Sequence, residues 1–349
     1  MFKPRVGLSA EPLKGNKGMQ MKLRTVTALF GLILIVMQAT AQPHVYAQTV
    51  DPQLQSRLLR LEGFLVNEFN ATVGLVRESP DNSISRDYWL LSDNSIAMHV
   101  LAKDHPETAA TINQTMQKCG IFTDGLHEAL FGATIPLPPY TPIVEAVEND
   151  SYVVKVEIRS NGTGKLQPDW TEYADLLIYA ALSAHNANDD QLAIYYFNRA
   201  LEMWNGAGLW DRPTQDDGFY TTHKLALLMY AADILNQTIP YRTTLEDRIW
   251  LFQRDDGGIR SHYLGNLTSN REANSETAGL VLLAYQYKIQ KDILQANREA
   301  QIIAEQQAAS RTQLIESIII AAVAALVIGL TTLTRMRHRH NRRGFTRTE

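Results

Sequence analysis

From Leu280 to Ile328 the chain contains neither proline nor glycine, and a continuous helix of that length rises about 73 Å at about 1.5 Å per residue. Its last part, Ile318 to Thr334, holds no charged residue and is followed at once by Arg335, Arg337, Arg339, Arg342 and Arg343. An apolar run that is long enough to cross a hydrocarbon core and ends on a block of arginine reads as a stop-transfer helix, its tail retained in the cytoplasm. A buried core helix does not end on five arginines. His338 and His340 in that tail read as interfacial residues rather than metal ligands. The expectation is a stalk over 288–313, a membrane helix over 314–334 and a basic cytoplasmic tail over 335–349.

The other end carries a second export signal. Lys22 and Arg24 precede the charge-free run Val26 to Met37, and small residues follow at Ala39-Thr40-Ala41 and Val45-Tyr46-Ala47. That is the layout of a secretory signal peptide. As a helix the run rises only about 18 Å, short for a bilayer core. Residues 1–47 are therefore expected to be an n-region and signal peptide, with an uncleaved anchor as the other reading. Met19 and Met21 are alternative starts. Both ends are basic, whereas residues 48–313 hold 21 basic and 34 acidic side chains, a net of −13. An acidic domain argues against nucleic acid as a partner, because phosphate needs Lys or Arg to neutralise it. Six Asn-x-Ser/Thr sequons, at Asn70, Asn113, Asn149, Asn161, Asn236 and Asn266, lie between the two signals and are glycosylation candidates in an exported domain. Cys119 is the single cysteine, so neither an intrachain disulfide nor a four-cysteine zinc site can form.

Residues 48–287 read as mostly helical. Apolar positions recur with the helical period over Leu54–Phe69, Asn94–Ala102, Ala109–Lys118, Tyr173–Ser183, Gln191–Trp204, Lys224–Leu235 and Thr277–Tyr287. Pro136, Pro138, Pro139 and Pro142 forbid helix between Ile135 and Ile158, and Ser151 to Ile158 alternates as a strand, so an insertion that is a small β-hairpin or a small sheet is expected there. Below the domain, Ile289, Ile293, Ala296, Ala300, Ile303, Gln307, Ser310 and Leu314 form a heptad seam. It serves either packing against the chain's own domain or a homo-oligomer through the stalk.

An approximate repeat organises the domain: a helix ends in a Gly-containing turn, an aromatic or acidic segment follows, and a helix rich in small residues begins. It runs through Phe69–Leu75 into Asp93–Ala97, Gly164–Leu166 into Glu172–Leu176, Trp204–Trp210 into Thr222–Ala226, and Phe252–Ile259 into Ala273–Thr277. Gln253-Arg-Asp-Asp-Gly-Gly-Ile259 resembles the Gln-x-x-Asp-Gly-Gly-Phe turn of α/α-toroid proteins such as terpenoid cyclases and prenyltransferases, and Gln215-Asp-Asp-Gly-Phe219 is a shortened version. The resemblance implies a mainly α fold: an α/α toroid, here an incomplete barrel of helical hairpins with alternating outer and inner helices, a plan shared with six-hairpin glycosidases, in which the turn ties a helix end to the next hairpin. This chain departs from the chemistry of those families. It lacks an Asp-x-Asp-Asp motif, Cys119 has no Asp and His at prenyltransferase spacing, and the Cys-Gly pair lacks the Glu-Gln of a thioester module.

Asp93, Glu172, Asp175 and Glu276 sit at the starts of the helices expected to be inner. Acids at helix N-termini contribute about 0.3–1 kcal/mol each as caps, without any catalytic role. In a toroid these ends converge, and two carboxylates about 5–9 Å apart are the apparatus of glycoside hydrolysis. Trp89, Trp170, Tyr173 and Trp210, with Tyr88 and Tyr220, fall in the same loops and are candidate platforms for a sugar ring; packing is their commoner role. His223, Arg260 and His262 are candidates for proton transfer or for binding a carboxylate-bearing ligand. No cofactor is evident. Asp216-Asp217 and Asp255-Asp256 are candidate Ca²⁺ ligands, although an Asp in a Gly-rich turn usually bonds its own backbone. Two functions follow: a surface-anchored module that binds a ligand, a glycan or another surface protein, or acts as a scaffold; and a carbohydrate-active enzyme of glycoside hydrolase or lyase type.

Overall fold

The computed structural model describes residues 51–81, 88–120, 125–141, 143–149, 152–158 and 165–344. The expected signal peptide and the sequon at Asn161 lie outside them. The chain divides into a unit spanning Gln48–Ala296 and a second that includes Asn297–Glu349.

The first unit is mainly helical. In chain order its helices are α1 (Pro52–Glu68), α2 (Leu91–Leu101), α3 (Pro106–Cys119), α4 (Ala174–Asn186), α5 (Asp190–Leu201), α6 (Arg212–Asp217), α7 (Thr222–Ile234), α8 (Arg242–Leu251) and the start of α9 (Ser275–Gly344). Two kinds of helix alternate. In α2, α4, α7 and the first turns of α9 nearly every side chain is buried, including Leu225 to Ala232 without interruption. By contrast, α1, α3 and α5 bury one stripe each, for example Ala193, Phe197 and Ala200 of α5. A helix apolar on all sides must be covered on all sides, and an amphipathic one covers its neighbour while facing water. Short connectors join each inner helix to the next outer one, and the pairs α2–α3, α4–α5 and α7–α8 pack together.

The sequence does not anticipate α8. Its apolar positions Leu245, Ile249 and Trp250 are outnumbered by polar neighbours, Arg242 and two threonines fill its first turn, and Leu251 is exposed, so no helical stripe stands out. Of the two forms expected for the insertion, it takes the small sheet. Strands β4 (Ile143–Asn149) and β5 (Tyr152–Ile158) pair antiparallel as expected, while β3 (Tyr88–Leu90) joins β5 in parallel, with Trp89 opposite Val154. Two further ribbons, β1 (Phe69–Asn70) with β2 (Leu75–Val76) and β6 (Phe219–Thr221) with β7 (His262–Leu264), are antiparallel.

The Gly turns dock on neighbouring outer helices. A Cβ on Gly74 would lie 2.3 Å from the Thr115 hydroxyl of α3, and Arg248 of α8 donates to the carbonyls of Gly206 and Ala207. The last turn reaches back to the first helix: Gln253 Nε2 donates to the Arg57 carbonyl at 2.9 Å, and Arg60 donates to Gln253 Oε1 at 2.8 Å. The first N–H groups of the inner helices follow the same order. Ala174 N–H donates to Asp211 Oδ2 (3.1 Å), Thr222 N–H to the Ser261 carbonyl (2.8 Å), and Ser275 N–H to the Glu78 carbonyl (2.8 Å). Each of these helices is thus held by the loop of the following repeat, and the last by the loop of the first. At the opposite ends of the inner helices the 3₁₀ turn His127–Phe131 fills the space between them. Phe131 stacks on His99 at 3.6 Å, Tyr230 Oη donates to the Leu130 carbonyl, and Asn186 donates to the Ala129 carbonyl.

In the second unit α9 continues to Gly344. Within Ser275–Thr332 it is long and apolar enough to cross a membrane, and none of that apolar window is buried among the described residues. Ile320, Leu326 and Ile328 are exposed on different sides of the helix. The hydroxyls of Ser317, Thr331, Thr332 and Thr334 donate to carbonyls one turn back, so the polar side chains of this stretch are satisfied without water.

Two glycines of equal φ separate backbone strain from close approach. Gly206 and Gly257 both have φ +93°, but a Cβ on Gly206 meets nothing within 4 Å among the described residues, whereas one on Gly257 would lie 2.1 Å from the Arg60 carbonyl oxygen. Gly206→Ala should cost about 1–2 kcal/mol, the left-handed penalty alone, and Gly257→Ala about 3 kcal/mol or more, read as the difference in denaturant unfolding of the two variants.

Candidate functional site

The inner helices begin at Leu91, Ala174, Thr222 and Ser275, so their second residues are Ser92, Asp175, His223 and Glu276. Three of these lie in one electrostatic cluster around Lys224, the third residue of α7. Its ammonium is 2.6 Å from Asp211 Oδ2 and 3.7 Å from Asp175 Oδ1, and Glu276 adds to the negative field that it experiences. His223 Nδ1 is 3.3 Å from Glu276 Oε2. Lys224 is only 4% exposed, and Asp211 is wholly buried. Burial alone would drive the ammonium to lose its proton; Asp175, Asp211 and Glu276 overcome that and hold its pKa above the ordinary lysine value.

Asp211 explains the lysine. It is the N-cap of α6, taking the Thr214 N–H and hydroxyl on Oδ1, and its Oδ2 takes the first N–H of α4. At the starts of α7 and α9 the corresponding N–H goes to a main-chain carbonyl, which is neutral. The third repeat uses a carboxylate there, and a buried carboxylate requires a counter-charge. The Asp-Arg-Pro-Thr signature of an N-cap followed by Pro, and a lone lysine in an otherwise apolar helix, are the sequence signals that point to this pair.

The remaining sequence candidates are distributed more widely. Asp93 is the third residue of α2, not the second; it is 2% exposed and accepts from Ser92 Oγ at 3.4 Å. Glu172 is exposed and pairs with Arg212 at 2.9 Å. Trp89 lies in the core, and Trp170 packs edge-on against Tyr196, so their rings serve packing. Tyr173 is half-buried beside the start of α4, and burial pushes its hydroxyl pKa up. Trp210 is 43% exposed, its ring tilted 5.9 Å from Tyr220 in a series that continues through Tyr263 to Phe252. Burial, and after it the neighbouring His223 and Arg271, depress the pKa of His262 to about 4.

Arg260 lines a separate open cleft of about 1220 Å³ between the Leu251–Asp256 turn and the Leu267–Glu272 loop, with Asp81 at its edge. The cleft is strongly polar. Arg254 is neutralised by Asp81 and Asp256, Arg260 donates to the Arg271 carbonyl at 2.6 Å, and the Arg271 guanidinium lies over the Phe219 ring at 4.2 Å. Ser269 and Asn270 add short polar groups to the same wall.

Among the described residues no group of three or more His, Cys, Asp or Glu is placed to hold a metal ion. Of the four acids offered for Ca²⁺, Asp217 accepts from the Phe219 N–H, Asp256 from the Gly258 N–H, Asp216 faces Arg212, and Asp255 is exposed. Of the sequons, Asn113, Asn236 and Asn266 are exposed, while Asn70 and Asn266 accept from backbone N–H groups two residues on. No family model matches this chain, and neither a curated protein nor a solved structure does.

Removing the lysine alone should be more harmful than removing both charges. Lys224→Met leaves the buried Asp211 carboxylate without its counter-charge and should cost about 3–5 kcal/mol; adding Asp211→Asn removes that charge and keeps one acceptor oxygen, enough for either Thr214 or Ala174, and should restore part of the loss, as a double-mutant cycle by chemical denaturation would show. His262 supplies a pH signature. Its folded pKa of about 4 lies below the unfolded value of 6.5, so the unfolded chain takes up the proton first. The resulting destabilisation is absent above about pH 6.5 and grows to as much as about 3 kcal/mol as pH falls towards 4. Because Glu62 and Glu68, raised by burial, act with the opposite sign, the His262 contribution is read as the difference between the native protein and His262→Gln across that window.

Proposed function

We propose that this chain is a surface-anchored binding module: a closed α/α ring of four repeats, held outside the membrane by α9, that takes a polar, carboxylate-bearing ligand of carbohydrate type in the cleft beside Arg260. Closure of the ring is supported by the order of docking, in which the last turn grips α1 and the last inner helix is held by the Glu78 carbonyl. The outward orientation is supported by the arginine block after the apolar run and by the acidity of the preceding domain.

The observation that carries binding over catalysis is the state of the carboxylates at the inner-helix starts. Glycoside hydrolysis needs one carboxyl group to donate a proton and another to act as base or nucleophile. Here Asp211 and Asp175 face Lys224, and Glu276 faces His223. Basic side chains of the protein itself occupy these carboxylates, which engages them in the frame of the domain rather than leaving them directed at a ligand. The cleft offers Arg260 with Ser269 and Asn270 at an open surface instead, a set suited to carboxylate and hydroxyl groups.

The enzyme reading rests on Asp175 and Glu276 sharing the field around Lys224 and on the exposed Trp210, and one experiment separates the two. Fluorescent acidic glycans should bind intact cells displaying the full chain, with at least about tenfold weaker binding for Arg260→Ala and little change for Asp175→Asn with Glu276→Gln. Glycan turnover that disappears in the latter pair would establish the enzyme, and binding confined to inverted vesicles would reverse the orientation.

A further inference from the structure

We infer that the chain pairs in parallel with a second copy of itself along one face of α9, from Ile293 through the stalk into the apolar span. The heptad positions Ile293, Ala296, Ala300, Ile303 and Leu314 lie on that face, and Ile303 is 51% exposed with Leu314 similarly open. The same phase continues without a break into the span through Ser317, Ala321, Ala324 and Ile328. None of the five charged residues between Ile293 and Ile328, which are Arg298, Glu299, Glu305, Arg311 and Glu316, falls on it. A helix that keeps its charges off a 3.5-residue repeat of mostly apolar residues buries that seam against a parallel helix. In the span, Ala321 and Ala324 permit the close backbone approach on which helix association in lipid depends.

Three features select a second copy as the occupant. Gln307 lies on the seam among apolar positions. Its amide has both donors and an acceptor, so two Gln307 side chains meeting across a parallel pair satisfy each other, whereas an unrelated apolar helix would leave each unpaired. The flanking positions that meet in an in-register parallel pair are Asp292 with Asn297, Glu299 with Ala304, and Gln306 with Arg311, and none of these juxtaposes like charges. A single membrane span also gives every copy the same orientation and depth, which supplies the register in advance.

The test uses the full chain in lipid nanodiscs, with Cys119→Ser so that each added thiol is the only one. Ile303→Cys and Ser310→Cys lie on the seam, and Arg298→Cys and Glu305→Cys on the opposite side. Mild oxidation should give disulfide-linked dimers from the seam variants at about ten times the yield of the others, because only seam residues bring Cβ atoms within bonding reach. Gln307→Glu, which places two like charges on the seam, should raise the dimer dissociation constant at least about tenfold while leaving the helical circular dichroism unchanged. Equal cross-linking at all four positions, a monomeric mass at every concentration, or a dimer indifferent to Gln307→Glu overturns the proposal.

Discussion

A helix in which nearly every side chain is buried has no face to give to water, and among the described residues α2, α4, α7 and the first turns of α9 are of that kind. Leu225 to Ala232 of α7 are buried in succession, as are Leu176 to Ala181 of α4. Such helices fold only as an inner layer, so something must cover each of them on every side. The amphipathic helices α1, α3 and α5 do so from outside, neighbouring inner helices do so laterally, and the His127–Phe131 turn does so at one end. The remaining end is left to the loops, which is why polar side chains gather at the inner-helix starts.

Those starts have unsatisfied N–H groups, and the way each is satisfied decides the local electrostatics. A carbonyl from the next loop serves α7 and α9 and brings no net charge. Asp211 serves α4 and brings a full negative charge into a buried place, which Lys224 balances at 2.6 Å. With Asp175 and Glu276 nearby, the ammonium stays charged despite its burial. The cluster therefore fastens three repeats together. In the proposed function this makes it the frame of the molecule, and the polar cleft beside Arg260, built from the turn and loop of the fourth repeat, becomes its working surface.

The long helix changes character along its length. Up to Ala296 it belongs to the compact unit, where Lys291 donates to the Asp233 carbonyl and Gln286 to the Val100 carbonyl. Beyond that its apolar side chains find no cover within the chain among the described residues, and its serine and threonine hydroxyls are turned back onto the helix. Both properties suit a hydrocarbon environment and neither suits water.

Periodicity and charge by themselves determined the mainly helical character, the alternation of turn and small-residue helix, the strand pair within Tyr152–Ile158 and its neighbour, and the apolar C-terminal helix. These are properties of neighbouring residues, and local spacing records them. It did not record α8, whose few apolar positions become meaningful only once Leu245 and Ile249 have an inner helix to lie against. The site divides in the same way. Asp175 and Glu276 could be picked out as helix-start acids, but Asp93 is one residue out of step with them, a shift of about 100° around a helix. Only the tertiary structure brought Asp211 to the start of α4, from 37 residues away in sequence, and Lys224 to Asp211. A counter-charge is chosen by distance in space and by the dielectric around it, and neither quantity exists until the helices have packed.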